Sequence, residues 1–146
     1  MTVKEYLNQA CDLDKLIKAK KEQIIRLNDQ RMNVSSVLSI AKVQTSRRDD
    51  KLAELTSIIL DLQDVYAVEV TQLLRLKYDI QILIDSLYNQ KQRLVLTEKY
   101  VNLKNWEDIM FDNELSWTTM HRYHAAALRA LQEKNPDKFS SPDPEN

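Results

Sequence analysis

Four side chains at the start of a helix predicted near the end of the chain have the chemistry to read DNA bases. They are Trp117, Thr118, His121 and Arg122. An arginine can donate two hydrogen bonds to one guanine, and a large apolar ring can contact the methyl group of thymine. His121 and Arg122 are expected on the helix face opposite Met120, so the sequence predicts that this face contacts DNA.

Structural alternatives exist for the same side chains. The indole of Trp117 can equally pack over Trp106 or Phe111 and stabilise the preceding turn. A solvated helix face would also carry His121 and Arg122. These alternatives stay open at the level of the sequence.

A metal site and a catalytic site are not predicted. His121 and His124 lie one turn apart, which can place two imidazoles on one metal ion, but no cysteine or acidic residue nearby completes a usual site. No serine, cysteine or histidine in a predicted turn has an obvious partner, and the acidic residues lie on polar helix faces. We therefore expect neither an enzyme nor a cofactor.

Three short helical segments position the candidate residues. The first is predicted over residues 90–101. Asn105 is a strong N-cap, so a second helix should begin near Trp106, and the polar residues 112–114 should end it. Ser116 is another strong N-cap, for a third helix over residues 117–133.

The third helix should turn its apolar face inward. That face comprises Met120, Tyr123, Ala127, Leu128 and Leu131. Two helices joined by a short turn form a helix-turn-helix, in which the second helix carries its N-terminal residues into the major groove. Contacts to DNA phosphates are assigned to Lys99, Lys104, Ser116 and Thr119.

The same stretch resembles the fourth region of bacterial sigma factors. The pattern that carries the resemblance is Arg93, Tyr100, Trp106, Ile109, Leu115-Ser116, Thr119-Met120-His121-Arg122, His124 and Ala127-Leu128. It looks closer still to small sigma-like proteins of phages and prophages of low-GC Gram-positive bacteria, including ArpU and RinA type regulators. The resemblance covers about the last third of the chain and implies a DNA-binding regulator of phage genes.

The turn departs from the sigma pattern at two positions. Glu114 stands where that turn usually has glycine, and Asn113 stands where it usually has an apolar residue. Asparagine tolerates left-handed backbone better than most residues, so these residues are compatible with the turn.

Composition restricts the fold. Glycine is absent and the first of three prolines is Pro136, so nothing interrupts helix over most of the chain and an all-α fold is expected. Phosphate-binding loops and nucleophile elbows need glycine and are set aside. Cys11 is the single cysteine, and neither a secretory signal nor an apolar run long enough for a bilayer is visible. We expect a cytoplasmic protein that does not bind membranes.

The charge balance bears on how DNA would be bound. The net charge is −1 and the isoelectric point is about 6.1. Affinity for a polyanion comes largely from lysine and arginine, so one copy alone has a weak electrostatic footprint. A homodimer, or docking on RNA polymerase, would supply the missing contacts.

The N-terminal part, residues 1–89, is predicted as a long antiparallel helical hairpin that dimerises. Apolar residues recur at spacings of three and four, with breaks at Lys20 and Arg31 in the first stripe and at Glu69 in the second. A loop centred on residues 44–48 should join the two helices. A hairpin satisfied within one chain would show the same stripes.

The predicted organisation is therefore a helical hairpin (1–89), a sigma-like helix-turn-helix (90–133) and a disordered tail (134–146). Sequence-specific binding of double-stranded DNA in the transcription of phage or prophage genes is the expected function. Two alternatives are a small terminase subunit, which would assemble into a ring, and a helical interaction protein that docks on RNA polymerase or another partner without binding DNA by itself.

Overall fold

The computed structural model describes residues 1–41 and 45–142. Its helices are α1 (Val3–Ala41), α2 (Thr45–Asp85), α3 (Gln90–Leu96), α4 (Trp106–Asp112) and α5 (Trp117–Lys134), and a π-helical turn (Thr97–Val101) continues α3. No strand occurs in the described ranges, so the predicted all-α class is confirmed. None of the helices described is both long and apolar enough to cross a membrane.

The connection between α1 and α2 is shorter than predicted. A loop centred on residues 44–48 was expected, whereas α1 continues to Ala41 and α2 begins at Thr45. Residues 42–44 lie outside the described part. Serine and threonine each cost a helix about 0.7 kcal/mol or less, so a few of them do not outweigh the long helices on both sides.

The chain divides into two compact units at positions different from the predicted boundary at residue 89. The first unit is Asp14–Gln72, and the second unit combines Met1–Leu13 with the chain from Leu73 onward. The first turns of α1 and the last turns of α2 thus belong with the C-terminal helices. A boundary drawn along the sequence could not anticipate this, because it is set by which ends of the long helices pack with α3 to α5.

In the first unit, one of the two breaks in the first apolar stripe meets the break in the second. The ammonium group of Lys20 on α1 donates a hydrogen bond to Glu69 on α2, and the two side chains are 23% and 15% exposed. Ile17, Ile24 and Ile59 are buried in the same unit. Helices α1 and α2 therefore lie side by side at this level, while the hairpin as a whole stays a prediction.

The second unit has a core drawn from both ends of the chain. Its fully buried large side chains include Leu7, Ile80, Ile84, Leu87, Leu96 and Leu131. The end of α5 is fastened to the end of α2, because Lys134 donates a hydrogen bond to the backbone carbonyl of Ser86. This core supports the three short helices that carry the candidate DNA-binding residues.

The segment after α5 corrects the prediction of a disordered tail (134–146). Phe139 is only 3% exposed, and its ring centroid lies 5.5 Å from that of Tyr6 on α1. The backbone N–H of Ser140 donates to the carbonyl of Met1 at 3.0 Å. The last four residues lie outside the described part. Over the rest of the segment the prediction of disorder is wrong, because the buried ring of Phe139 anchors an otherwise polar stretch of chain.

Candidate nucleic-acid interface

Helices α3, α4 and α5 share a small apolar core. Val95, Ile109 and Met120 come one from each helix, and all three are completely buried. The partly buried residues packed against them are Trp106, Met110, Leu115 and Tyr123. Because the predicted inward residue Met120 sits in this core, the opposite side of α5 is turned towards solvent.

Both predicted N-caps are confirmed. The side-chain oxygen of Asn105 accepts a hydrogen bond from the backbone N–H of Asp108 at 2.8 Å, and that of Ser116 accepts from the backbone N–H of Thr119 at 3.2 Å. Helices α4 and α5 each begin one residue after the cap, as the sequence predicted. A capped helix start gives α5 a defined first turn.

The turn between α4 and α5 is a Schellman motif. The N–H of Leu115 donates to the carbonyl of Met110 at 3.0 Å, and the N–H of Glu114 donates to that of Phe111 at 3.3 Å. Glu114 has a φ of 53°, whereas Asn113 has a φ of −107°. The left-handed residue is therefore Glu114, at the position where the sigma-type turn usually has glycine, and the tolerance of Asn113 for such backbone is not used.

Replacing Glu114 by glycine should stabilise the second unit. Left-handed backbone costs a residue with a Cβ about 1–2 kcal/mol, and glycine avoids this cost. Part of the gain is offset, because glycine loses more conformational entropy on folding than other residues do. We expect a gain of about 0.5–1 kcal/mol in the free energy of unfolding, measured in urea by tryptophan fluorescence, since Trp106 and Trp117 both lie in this unit. The control Glu114→Ala removes the same charge but keeps the Cβ, and an equal gain in both variants would contradict the backbone explanation.

His121 packs between two indoles at the start of α5, and its role as a base reader stays a prediction. Its ring centroid is 4.4 Å from that of Trp117 and 4.7 Å from that of Trp106, and the ammonium of Lys99 lies 4.7 Å from the Trp106 centroid. The Nε2 atom of His121 is buried without a hydrogen-bond partner among the described residues. One turn of helix separates His121 from Trp117, so the two rings share a face that α4 covers in part. We call the stacked side chains of Trp117, His121, Trp106 and Lys99 the aromatic column.

Trp117 keeps a free surface while it belongs to this column. The residue is 49% exposed, and its aromatic neighbour is His121. Phe111, considered above as a packing partner, is 83% exposed. Trp117 is thus packed in part against the protein and open in part to solvent at the first turn of α5.

Tyr100 and His124 form a buried pair beside the column. The tyrosine hydroxyl and the histidine Nε2 are 2.7 Å apart, so the hydroxyl has its hydrogen-bond partner inside the protein. Burial raises the pKa of Tyr100. Burial, with a smaller contribution from the charges of Lys4, His121 and Lys99, lowers the pKa of His124 to about 4. The pair is neutral near pH 7, and its role is to hold α5 against the π-helical turn.

The residues predicted to contact phosphate are mostly engaged within the protein. The ammonium of Lys104 lies 2.5 Å from a carboxylate oxygen of Glu98 and 3.0 Å from one of Asp112, and these hydrogen bonds raise its pKa. The hydroxyl of Ser116 donates to that of Thr119 at 2.8 Å. Lys104 is thus already paired with two acids, and its contact with phosphate stays a prediction.

The solvent face of α5 presents the side chains that stay available. Thr118 and Arg122 are exposed, and so is Arg129, which the sequence analysis missed. Neither arginine side chain has a hydrogen-bond or ion-pair partner in the part of the chain that the structure describes. Arg129 follows Arg122 by seven residues, two turns along the same face, and this spacing was the signal that could have identified it.

The first turn of α5 also favours an anion electrostatically. It carries no acidic residue, in contrast to α4, whose first turn contains Glu107 and Asp108. The partial positive charge at a helix N-terminus attracts phosphate when no carboxylate neutralises it. Of the two helices, α5 is the one whose start suits a nucleic-acid backbone.

The chain is an all-helical protein in which two capped helices follow one another across a tight turn. Residues 33–132 match the model of a family of proteins of unknown function, DUF1492, and because the match covers more than half of the chain, the chain belongs to that family. No curated protein and no solved structure matches it.

Proposed function

We propose that this protein is a sequence-specific DNA-binding regulator, sigma-like in character, that acts in the transcription of phage or prophage genes. In this proposal α4 and α5 form a helix-turn-helix, and α5 enters the major groove. The observation that carries it is the face at the start of α5, where Trp117, Thr118 and Arg122 are exposed and the first turn is capped and contains no acidic residue. Exposed, unpaired side chains at this position are those that a recognition helix offers to base edges.

The roles of individual residues follow from their surroundings. Arg122 is assigned to a base, because its guanidinium is exposed and unpaired among the described residues. Arg129, further along the same face, is assigned to a phosphate, since the later turns of a recognition helix leave the groove floor. Lys99 remains a phosphate candidate, although its ammonium also lies over Trp106.

The charge balance supports binding as a homodimer. Residues 90–133 contain six basic and six acidic residues, so one copy attracts DNA only through a few individual basic side chains. Leu74, Tyr78 and Ile82 lie on successive turns of α2 and are each more than half exposed. An apolar stripe of this kind suits burial against a second copy, which would also double the DNA contacts.

Light scattering on the purified protein separates this assembly from a ring. A dimer is the expected result. A ring of many copies would instead favour the small terminase reading, which also joins a helix-turn-helix to an oligomerising helical region.

Single substitutions of two arginines on one helix face test the DNA-binding mode. Arg122→Ala should lose about 1–3 kcal/mol of discrimination at one base pair of the preferred sequence, because a paired hydrogen bond to guanine is lost. Arg129→Ala should weaken all sequences alike and lower the salt dependence of binding. Affinities are measured by fluorescence anisotropy against the preferred sequence and its single-base variants.

These two variants control for each other, since both remove one exposed arginine from α5. Equal losses on every sequence from Arg122→Ala would remove its base-reading role. A change in base preference from Arg129→Ala would move that role two turns along the helix.

A second candidate function belongs to another class: a helical interaction protein that docks on RNA polymerase or another partner without binding DNA by itself. The exposed Glu114 beside the start of α5, and the pairing of Lys104 with Glu98 and Asp112, favour it. This candidate predicts no enrichment of any DNA sequence by the intact protein. It also predicts that exchanging Glu114 for glutamine weakens a protein complex and has no effect on DNA.

A further inference from the structure

The aromatic column holds Trp117 at the start of α5 in a supported, partly exposed position. Trp117 has one part of its indole packed against His121, with ring centroids 4.4 Å apart, and is 49% exposed overall. His121 is in turn supported by Trp106 at 4.7 Å, and Trp106 by the ammonium of Lys99 at 4.7 Å. A large apolar side chain is thus presented to solvent in a supported position.

The chemistry of the exposed indole limits what it can recognise. An apolar ring contributes most to binding when it removes another apolar group from water, and the only methyl group in the major groove of DNA belongs to thymine. The open part of Trp117 lies at the capped first turn of α5, the part of a recognition helix that approaches base edges. A guanine or cytosine edge would place hydrogen-bonding groups against a surface that cannot pair with most of them.

We propose that Trp117 selects a thymine by contact with its methyl group, and that His121 is the positioning residue that holds the indole in place. This inference rests on the proposed DNA-binding function and adds to it the identity of one base. His121, predicted from the sequence to read a base, acts through Trp117.

The orphaned nitrogen of His121 supports a packing role. Its Nε2 is buried and has no hydrogen-bond partner among the described residues, so the ring serves here as a flat surface between two indoles. A phenylalanine ring has the same shape and no nitrogen to leave unpaired. His121→Phe should therefore preserve the column, whereas His121→Ala should remove its centre.

The experiment first selects a preferred sequence from a library of random double-stranded DNA with the full-length protein at physiological salt. Each thymine of that sequence is then replaced by uracil, which pairs identically but lacks the methyl group. Intact protein should lose roughly fourfold in affinity at one thymine of each half-site, the loss expected when one buried methyl group is removed. Trp117→Ala should bind the thymine and uracil forms equally well.

The two substitutions at His121 test positioning separately. His121→Ala should lose most of the preference for thymine over uracil at that position, and His121→Phe should retain it. Thermal unfolding of each variant, followed by circular dichroism, shows whether the helices are intact, and only folded variants are compared. Loss of the preference in both variants would overturn the positioning role.

The outcomes distinguish the inference from the function on which it rests. If a sequence is selected but no thymine responds to uracil, or if Trp117→Ala still discriminates at the responsive thymine, the inference is wrong and DNA binding stands. A Trp117→Ala protein that binds every sequence more weakly by the same factor would assign the indole to the sugar-phosphate backbone instead. If the intact protein selects no sequence, the proposed function fails and the inference fails with it.

Discussion

Phe139→Ala should lower the free energy of unfolding of the second unit by about 3 kcal/mol. Truncating a buried phenylalanine removes its transfer free energy and leaves a cavity, and the measured range for such changes is about 3–5 kcal/mol. We take the lower end because the segment after α5 is short and can detach. The side chain is 3% exposed and packs against Tyr6 on α1, so its loss should also release the segment from the start of the chain.

The matched control is the other phenylalanine of the chain. Phe111 is 83% exposed, and its replacement by alanine should change stability by less than about 0.5 kcal/mol. Urea denaturation followed by tryptophan fluorescence measures both variants in the same unit. Equal, small effects would mean that the segment after α5 is detached in solution.

Lys20→Met should destabilise the first unit by about 2–3 kcal/mol. It leaves the carboxylate of Glu69 without its cation in a site where that side chain is only 15% exposed, and one oxygen of Glu69 already lacks a partner among the described residues. Breaking a fully buried pair costs about 3–5 kcal/mol, and partial access of water reduces this figure. Far-UV circular dichroism in urea provides the measurement.

Two further variants define the origin of this effect. Lys18→Met removes a lysine that is 74% exposed in an ion pair with Asp14, and it should change stability by less than about 1 kcal/mol. The double variant Lys20→Met with Glu69→Leu should regain the lost stability, because it replaces both charges by apolar groups. A double variant no more stable than Lys20→Met would show that the ion pair is not the source.

The ion pair between Lys20 and Glu69 also restricts the register in which α1 and α2 pack. The two apolar stripes alone could pack in several registers. Because each stripe contains a charged residue, only registers that bring the two opposite charges together are favourable. We therefore expect the double variant, although stable, to sample more than one pairing of α1 and α2. Line broadening in its amide NMR spectrum, absent from the intact protein, would report this.

The parts of the fold that the sequence predicted well are those set by neighbouring residues. Asn105 and Ser116 cap helices through contacts three residues away, so their roles could be read directly from the sequence. The burial of Met120 followed from the helical period within α5. At these residues the interactions are local, so the sequence pattern and the structure agree.

Interactions between distant parts of the chain account for what the sequence did not predict. The pocket for Phe139 is formed by Tyr6 at the other end of the chain, so a composition typical of disorder concealed an anchored segment. The packing of His121 depends on where α4 places Trp106, which no periodicity within α5 contains. Glu114 occupies the left-handed position because α4 continues through Asp112 and uses Asn113 as its C-cap, which side-chain preference alone does not show.

The most direct test of the proposed function is a pull-down from sheared genomic DNA of the source organism at physiological salt. The intact protein is compared with a variant in which Trp117, Thr118 and Arg122 are replaced by alanine, three exposed positions whose loss should leave the core of α3 to α5 in place. Enrichment of a few discrete fragments by the intact protein alone is the predicted result. Absence of enrichment by either protein, or equal enrichment by both, would contradict the assignment of DNA recognition to the start of α5.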